Sequence, residues 1–173
     1  MFKCFKKNSV ERNLQMKKQN TKIELKNIPD EKVKIKIKKL NPDAIIPKYS
    51  HVGDAGMDLF SVEKDFILKP NHRAVVKTGL SIEFPKDYVA LIWDKSGLAK
   101  EGITNLAGVG DSGYRGEYKI VLINLSSKNY EIKKGQKIAQ LLIQKIETAE
   151  IEEVEELSET TRGDGGFGST GKF

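Results

Sequence analysis

The chain has 173 residues, 38% of them hydrophobic, with 30 Lys+Arg against 24 Asp+Glu and a formal charge of +6. That length suits one domain with its own core, and no run approaches the roughly 20 apolar residues of a membrane-spanning helix. The single cysteine, Cys4, excludes an intramolecular disulfide framework and a Cys-based metal cluster, and it fits a reducing, cytoplasmic setting.

The charge is uneven along the chain. Residues 1–40 hold 13 Lys+Arg and 4 Asp+Glu, a net of +9, whereas the remainder holds 17 and 20, a net of −3. The basicity belongs to the N-terminal segment, which weakens a reading of the body as a nucleic-acid binder. The opening "MFKCFKKNSVERNLQMKKQN" has no apolar core of signal-peptide length. Residues 1–30 read as a basic, disordered extension, with organelle targeting left open.

From "VKIKIKKL" the pattern alternates. Val33, Ile35 and Ile37 face one way and the intervening lysines the other, as in a half-buried strand. "AVVKTGLSIEF", "YVALIWD", "YKIVLINLS" and "KIAQLLIQKI" follow, each short, rich in β-branched residues and bounded by turn formers. One helical turn is predicted at "SGLAKEG", and Trp93 in "YVALIWD" reads as core. Many short strands separated by turns predict an all-β sandwich or barrel-like domain over 31–150. Residues 151–173 form an acidic hinge and a Gly-rich tail. Ile151, Val154 and Leu157 fit either one face of a short helix or a solvated crossing segment.

Five polar, Gly-containing stretches interrupt the strands, and each alone also fits an ordinary turn or cap. In "DAGMDL" a glycine permits a tight turn and Asp58 begins a strand. In "WDKSGLAKEG", Ser96 and Gly97 open the helical turn with Ser96 as its cap. A hydroxyl, free N–H groups and Lys95 there suit a phosphate. In "NLAGVGDSGYRGEY" a Gly-rich hairpin exposes backbone donors and acceptors. Asp111 is a candidate base, Tyr114 offers a flat face, and Arg115 and Glu117 can pair structurally. In "KGQKIAQLLI", Gln140 sits in an otherwise apolar strand, where it serves either the structure or a ligand.

The fifth stretch is "RGDGGFGSTGKF". Gly166, Gly171 and Lys172 match the spacing of a phosphate loop, but that motif needs Ser or Thr after the Lys and a following helix. Phe173 stands there instead. The phosphate-binding ingredients remain: Arg162, which forks to phosphate oxygens, glycines whose N–H groups curl around an anion, and the hydroxyls of Ser169 and Thr170. Phe167 is free to land on a flat ligand. His51 and His72 have no ligand-like spacing.

In this order the five stretches resemble the five motifs of the trimeric deoxyuridine triphosphatases, from "VKIKIKKL" to the C-terminus, and "DAIIPKYSHVGDAGMDL" is similar to that family's first segment. The resemblance implies a jelly-roll-like β subunit and a homotrimer with active sites at subunit junctions, each closed by a C-terminal arm. It also implies Mg²⁺-dependent hydrolysis of dUTP to dUMP and pyrophosphate, which limits uracil in DNA and supplies dUMP for thymidylate synthesis. By position, Asp111 is the general base activating the water that attacks the α-phosphorus, and Asp58 lies near the metal through water. Lys95, Ser96, Gly97 and Gln140 meet the phosphates. The backbone around Asn105 and Gly108, Val109, Gly110 and Asp111 reads uracil, with Lys119 at a main-chain base contact. Tyr114 lies under the deoxyribose. Arg162, Gly168, Ser169 and Thr170 clasp the terminal phosphate, and Phe167 lids the base.

Three departures from the family pattern stand out. Lys95 replaces an Arg, keeping the charge but losing a bidentate fork. Gly110 replaces a β-branched residue, which loosens the hairpin, and Gly113 replaces an acidic one. Two rivals share the scaffold. A dCTP deaminase carries a catalytic Glu where this chain has Val121. A non-catalytic regulatory protein has no need of Asp111 together with the full tail.

Overall fold

The first predicted strand forms as β1 (Lys36–Lys39). Ile35 and Ile37 pack against the core and Lys36 and Lys38 stay exposed, because successive side chains of a strand point to opposite faces. The structure, a computed structural model, describes residues 32–166 together with Ser169 and Gly171. The chain divides into two units, Met1–Lys34 and Ile35–Phe173. Among the described residues, the strands and the helix all lie in the second unit.

After β1 come β2 (Met57–Phe60), β3 (Phe66–Leu68), β4 (Arg73–Lys77), β5 (Leu80–Glu83) and β6 (Tyr88–Asp94). The short helix α1 (Ser96–Lys100) is followed by β7 (Ile103–Asn105), β8 (Val109–Gly110), β9 (Lys119–Asn124), β10 (Tyr130–Ile132) and β11 (Lys137–Lys145). The stretch predicted as one segment, "AVVKTGLSIEF", is two strands, because Gly79 turns the chain at φ 67° between β4 and β5. All pairs are antiparallel: β1 with β5, β10 with β3, a four-stranded sheet ordered β2–β11–β6–β8, and a three-stranded sheet ordered β4–β9–β7. The all-β expectation is borne out, with the sheets enclosing one apolar core.

That core is built from alternate strand positions. Leu59, Leu80, Ile82, Ile120, Leu122, Ile132, Ile138 and Leu141 are buried, each contributing roughly 1.5–3 kcal/mol relative to exposure. One buried polar side chain is fully paired where the chain turns. Asn124 donates to the carbonyls of Leu68 and Lys128 at 2.8 and 2.7 Å and accepts from Ser126 Oγ at 2.7 Å, which ties the β9–β10 turn to β3.

Two local expectations are corrected and two are resolved. The Gly-rich stretch 105–118 is the long connection of the expected hairpin, since β7 pairs antiparallel with β9 with Asn105 opposite Leu122, and within it β8 joins the four-stranded sheet beside β6. Ser96 is not a helix cap. Lys95 holds the N-cap position with no side-chain cap bond, and Ser96 is the first helical residue. Trp93 is not core but 59% exposed. Of the two readings of the segment holding Ile151, Val154 and Leu157, the helix does not form and the solvated segment does, with all three side chains exposed.

Candidate functional site

The register of the four-stranded sheet builds the first cleft. Gln140 on β11 lies opposite Asp58 on β2 and opposite Trp93 on β6, so residues distant in sequence form one row across three strands. A cleft of ≈ 680 Å³ opens over that row, lined among others by Ser50, Asp58, Trp93, Lys95, Lys137 and Gln140. A Cβ placed on Gly56 would lie 3.2 Å from Gln140 Cβ, so this glycine gives the glutamine its room.

Asp58 is the electrostatic centre of this cleft. It is 4% exposed, with Lys95 Nζ 2.8 Å from one carboxylate oxygen and Lys137 Nζ 2.7 Å from the other. Ser50 Oγ donates to it at 3.3 Å. Burial alone would raise the Asp58 carboxyl, but hydrogen bonds and charge from Lys137 and Lys95 outweigh that, so it is held below its ordinary value. Asp54 and Asp94 also line the cleft, so its charge is mixed, and Lys95 and Lys137 are the cations in it able to meet an anionic ligand.

The second cleft, of ≈ 260 Å³, lies where β6 meets β8. It is lined by Gly108, Val109, Gly110, Asp111, Tyr114, Tyr118 and Lys119, among others. Ile92 N–H donates to the Gly108 carbonyl at 2.8 Å, and a Cβ on Gly108 would sit 2.6 Å from the Ile92 carbonyl oxygen. Only glycine allows that approach. The next turn is pinned by Tyr114 N–H to the Asp111 carbonyl at 3.0 Å and by Arg115 Nη1 to the Ser112 carbonyl at 2.6 Å. Tyr114 is 46% exposed, and its hydroxyl donates to the Glu117 carbonyl at 3.1 Å. The Asp111 carboxylate is exposed and makes no hydrogen bond or ion pair among the described residues.

Asn105 braces the site. Its amide donates to the carbonyls of Ile92 and Ala107 at 2.9 and 3.1 Å, while its own N–H donates to Asp94 at 2.7 Å. The expected Arg115–Glu117 pair does not form. Arg115 Nε lies 3.7 Å from Glu83, and Glu117 accepts from the Gly79 N–H at 2.9 Å and has Lys119 at 4.0 Å.

The expected site residues thus fall into groups. Asp58, Lys95 and Gln140 share the first cleft, and Gly108, Val109, Gly110, Asp111, Tyr114 and Lys119 the second. Ser96 and Gly97 follow Lys95 on the exposed start of α1. Arg162 and Ser169 line neither cleft. The hydrogen bonds of the described tail are local, as in Arg162 Nε to the Gly165 carbonyl at 2.9 Å and Ser169 N–H to the Gly166 carbonyl at 2.9 Å. Phe167, Gly168 and Thr170 lie outside the described residues. Sequence reasoning missed Lys137. A register irregularity between Lys137 and Ala139 accompanies its turn towards Asp58, as bulges re-aim side chains. Its only sequence signal was a lysine three residues before Gln140.

A cleft holding two lysines, beside a narrow one that carries a free carboxylate and an exposed aromatic ring, defines a class: an all-β protein shaped for a ligand with a charged chain at one end and a flat group at the other. Comparison with known proteins narrows the class. The dUTPase family model matches residues 42–171. The deoxyuridine 5'-triphosphate nucleotidohydrolase of Clostridium tetani is 54% identical over 141 residues, covering 80% of this chain and 97% of the relative. That of Nautilia profundicola is 54% identical over 143 residues, covering 81% and 100%. Among solved structures, the dUTPase of Staphylococcus bacteriophage 80alpha with dUPNHPP superimposes with a TM-score of 0.74 at 32% identity, covering 80% of this chain and 98% of that one. The dUTPase of phage phi11 of S. aureus, described with a structural Mg(II) ion, gives a TM-score of 0.67 at 28% identity, covering 73% and 99%. The chain belongs to the dUTPase family.

Proposed function

We propose that this protein hydrolyses dUTP to dUMP and pyrophosphate, limiting uracil in DNA and supplying dUMP for thymidylate synthesis. The observation that carries the reading is the free Asp111 carboxylate on the wall of a glycine-narrowed cleft, one strand from the lysine-rimmed cleft of Asp58. An ionised carboxylate holding one water can take its proton as the water attacks the α-phosphorus, the bond to the bridging oxygen breaks, and pyrophosphate leaves. The backbone around Gly108–Asp111 and Lys119 reads the uracil edge, and the close Gly108–Ile92 approach leaves little width for a methyl group. Tyr114 packs under the deoxyribose and disfavours a 2'-hydroxyl. Lys95, Ser96, Gly97 and Gln140 take the phosphate chain, with Lys137 as a second cation.

The donor set suits a metal that arrives with the triphosphate. Mg²⁺ keeps several waters and is held by one or two carboxylates plus substrate phosphates. Asp58 is such a carboxylate on the cleft floor, and among the described residues no group of three His, Cys, Asp or Glu forms a cage. Asp58 would hold Mg²⁺ through water, and the ion would neutralise charge on the phosphates.

Within this reading residues 1–30 are an extension, 31–150 the β domain, and 151–173 an arm. Arg162, Gly168, Ser169 and Thr170 clasp the terminal phosphate and Phe167 covers the base, excluding bulk water. The active assembly is a homotrimer in the cytoplasm. Exposed Ile46, Val75, Leu106 and Leu125 supply apolar surface for subunit contacts. The position of a deaminase Glu is Val121, paired with Val75 in the sheet, and no observation favours that rival. The test is pyrophosphate release with Mg²⁺ from dUTP, dCTP, dTTP and UTP. Release from dUTP alone is expected, and none from dUTP would refute the reading.

A further inference from the structure

Two buried side-chain polar atoms have no hydrogen-bond partner among the described residues, Asp58 Oδ1 and the Tyr118 hydroxyl. Asp58 Oδ1 has the Lys95 ammonium 2.8 Å away, so its charge is balanced. The Tyr118 hydroxyl has no counterpart of that kind. A buried hydroxyl left unpaired is penalised, and its persistence calls for a reason.

Tyr118 is 5% exposed and lines the same cleft as Asp111 and Tyr114. Its backbone is fixed at both ends, with its N–H donating to the Leu80 carbonyl at 2.8 Å and its carbonyl accepting from Thr78 Oγ1 at 2.5 Å. Its ring meets Tyr114 edge-on, centroids 5.6 Å apart and planes at 69°. The tip reaches the residue before Asp111: a Cβ on Gly110 would lie 2.7 Å from both the Tyr118 hydroxyl oxygen and Cε1. Gly110 is not among the glycines at positive φ. A side chain is therefore excluded at 110 by the tyrosine and not by the backbone. Glycine and tyrosine fill one volume together, and the turn carrying Asp111 rests on the phenol. Burial first, then the charges of Tyr114 and Asp111, push the phenol's pKa up against the opposing Arg115, so it keeps its proton at neutral pH.

We propose that Tyr118 is a positioning residue for Asp111: its ring takes the place of a side chain at 110 in supporting the turn, and its hydroxyl donates a hydrogen bond to the Asp111 carboxylate when nucleotide fills the cleft. A donor that fixes one carboxylate oxygen leaves the other to hold the attacking water in line. The hydroxyl's role rests on Asp111 as the base, and the packing of Tyr118 on Gly110 does not.

Tyr118→Phe keeps the ring and removes only the oxygen. Turnover of dUTP should fall about tenfold, near 1.4 kcal/mol of barrier, with KM within about twofold. The melting temperature should hold or rise, since an unpaired buried hydroxyl has gone. Undiminished kcat in a folded Tyr118→Phe variant would overturn the hydroxyl's role. The packing half needs no nucleotide. Gly110→Ala should lower the melting temperature in the natural background and much less in a Tyr118→Leu background. Equal losses in both would overturn the coupling. Wild-type protein that fails to hydrolyse dUTP would sink the functional reading and the hydroxyl's role with it, while the melting cycle still decides the packing.

Discussion

Asp58→Asn removes the carboxylate on which two lysines converge. In the folded protein its oxygens lie 2.8 and 2.7 Å from Lys95 and Lys137, and its side chain is 5% exposed. An exposed ion pair contributes about 0–1 kcal/mol, whereas breaking a buried one costs about 3–5 kcal/mol. The Lys95 side chain is 27% exposed, so its ion pair lies between those limits at about 2 kcal/mol, whereas Lys137 at 45% is screened, leaving its pair about 0.5 kcal/mol. Relief of the buried carboxylate's desolvation offsets part of the sum. The net expectation is a loss of about 2 kcal/mol, or about 5 °C in melting temperature for a domain of this size. The assay is thermal unfolding at fixed protein concentration with chelator, because assembly and metal would both shift the midpoint. The pH dependence has a definite sign. The Asp58 carboxyl is held below its ordinary 3.8 in the fold, so its stabilisation is full above that value and is lost as pH falls through the lower, folded one. The gap between wild type and variant should be full at neutral pH and should close under strong acid. Equal melting at neutral pH, or a gap that persists after both pKa values are passed, would refute the reasoning.

Gly108→Ala drives a Cβ to 2.6 Å from the Ile92 carbonyl oxygen. Separating β8 from β6 should cost about 1–3 kcal/mol, read by denaturant unfolding, with a raised KM for dUTP. Deleting residues 162–173 should leave the β core folded by circular dichroism and slow dUTP turnover at least about tenfold through lost closure; loss of folding instead would make the tail structural. Sedimentation equilibrium should give three times the 19.4 kDa chain mass, and a monomer would contradict assembly through the exposed apolar residues.

Much of the fold was legible because its long strands announce themselves locally. β6, β9 and β11 are dense in β-branched and apolar residues, and β1 alternates lysine with isoleucine. The short β3 and β10 were not legible, since three residues of strand carry little periodic signal and are held by each other. Trp93 was misread for a similar reason. An aromatic in an apolar run looks buried, and only the pairing with Gln140 puts it on the face of an open cleft. Arg115 found Glu83, not Glu117, because the turn curls it towards β5. The clefts were legible as motif residues, but the convergence of Lys137 and Lys95 on Asp58 was not. It depends on a strand register that no local pattern states. Tyr118 escaped notice because "GEYKI" reads as the start of an ordinary strand.

The central claim is that the Asp111 carboxylate activates water on a bound deoxyuridine triphosphate, and Asp111→Asn tests it most directly. The amide keeps the shape of a side chain that forms no structural contact among the described residues, so the variant should fold and bind a non-hydrolysable dUTP analogue as wild type does. Its kcat for dUTP should fall about 10²–10⁴-fold, the range for losing a general base. A folded Asp111→Asn protein that binds the analogue and still turns over dUTP at the wild-type rate would contradict the account.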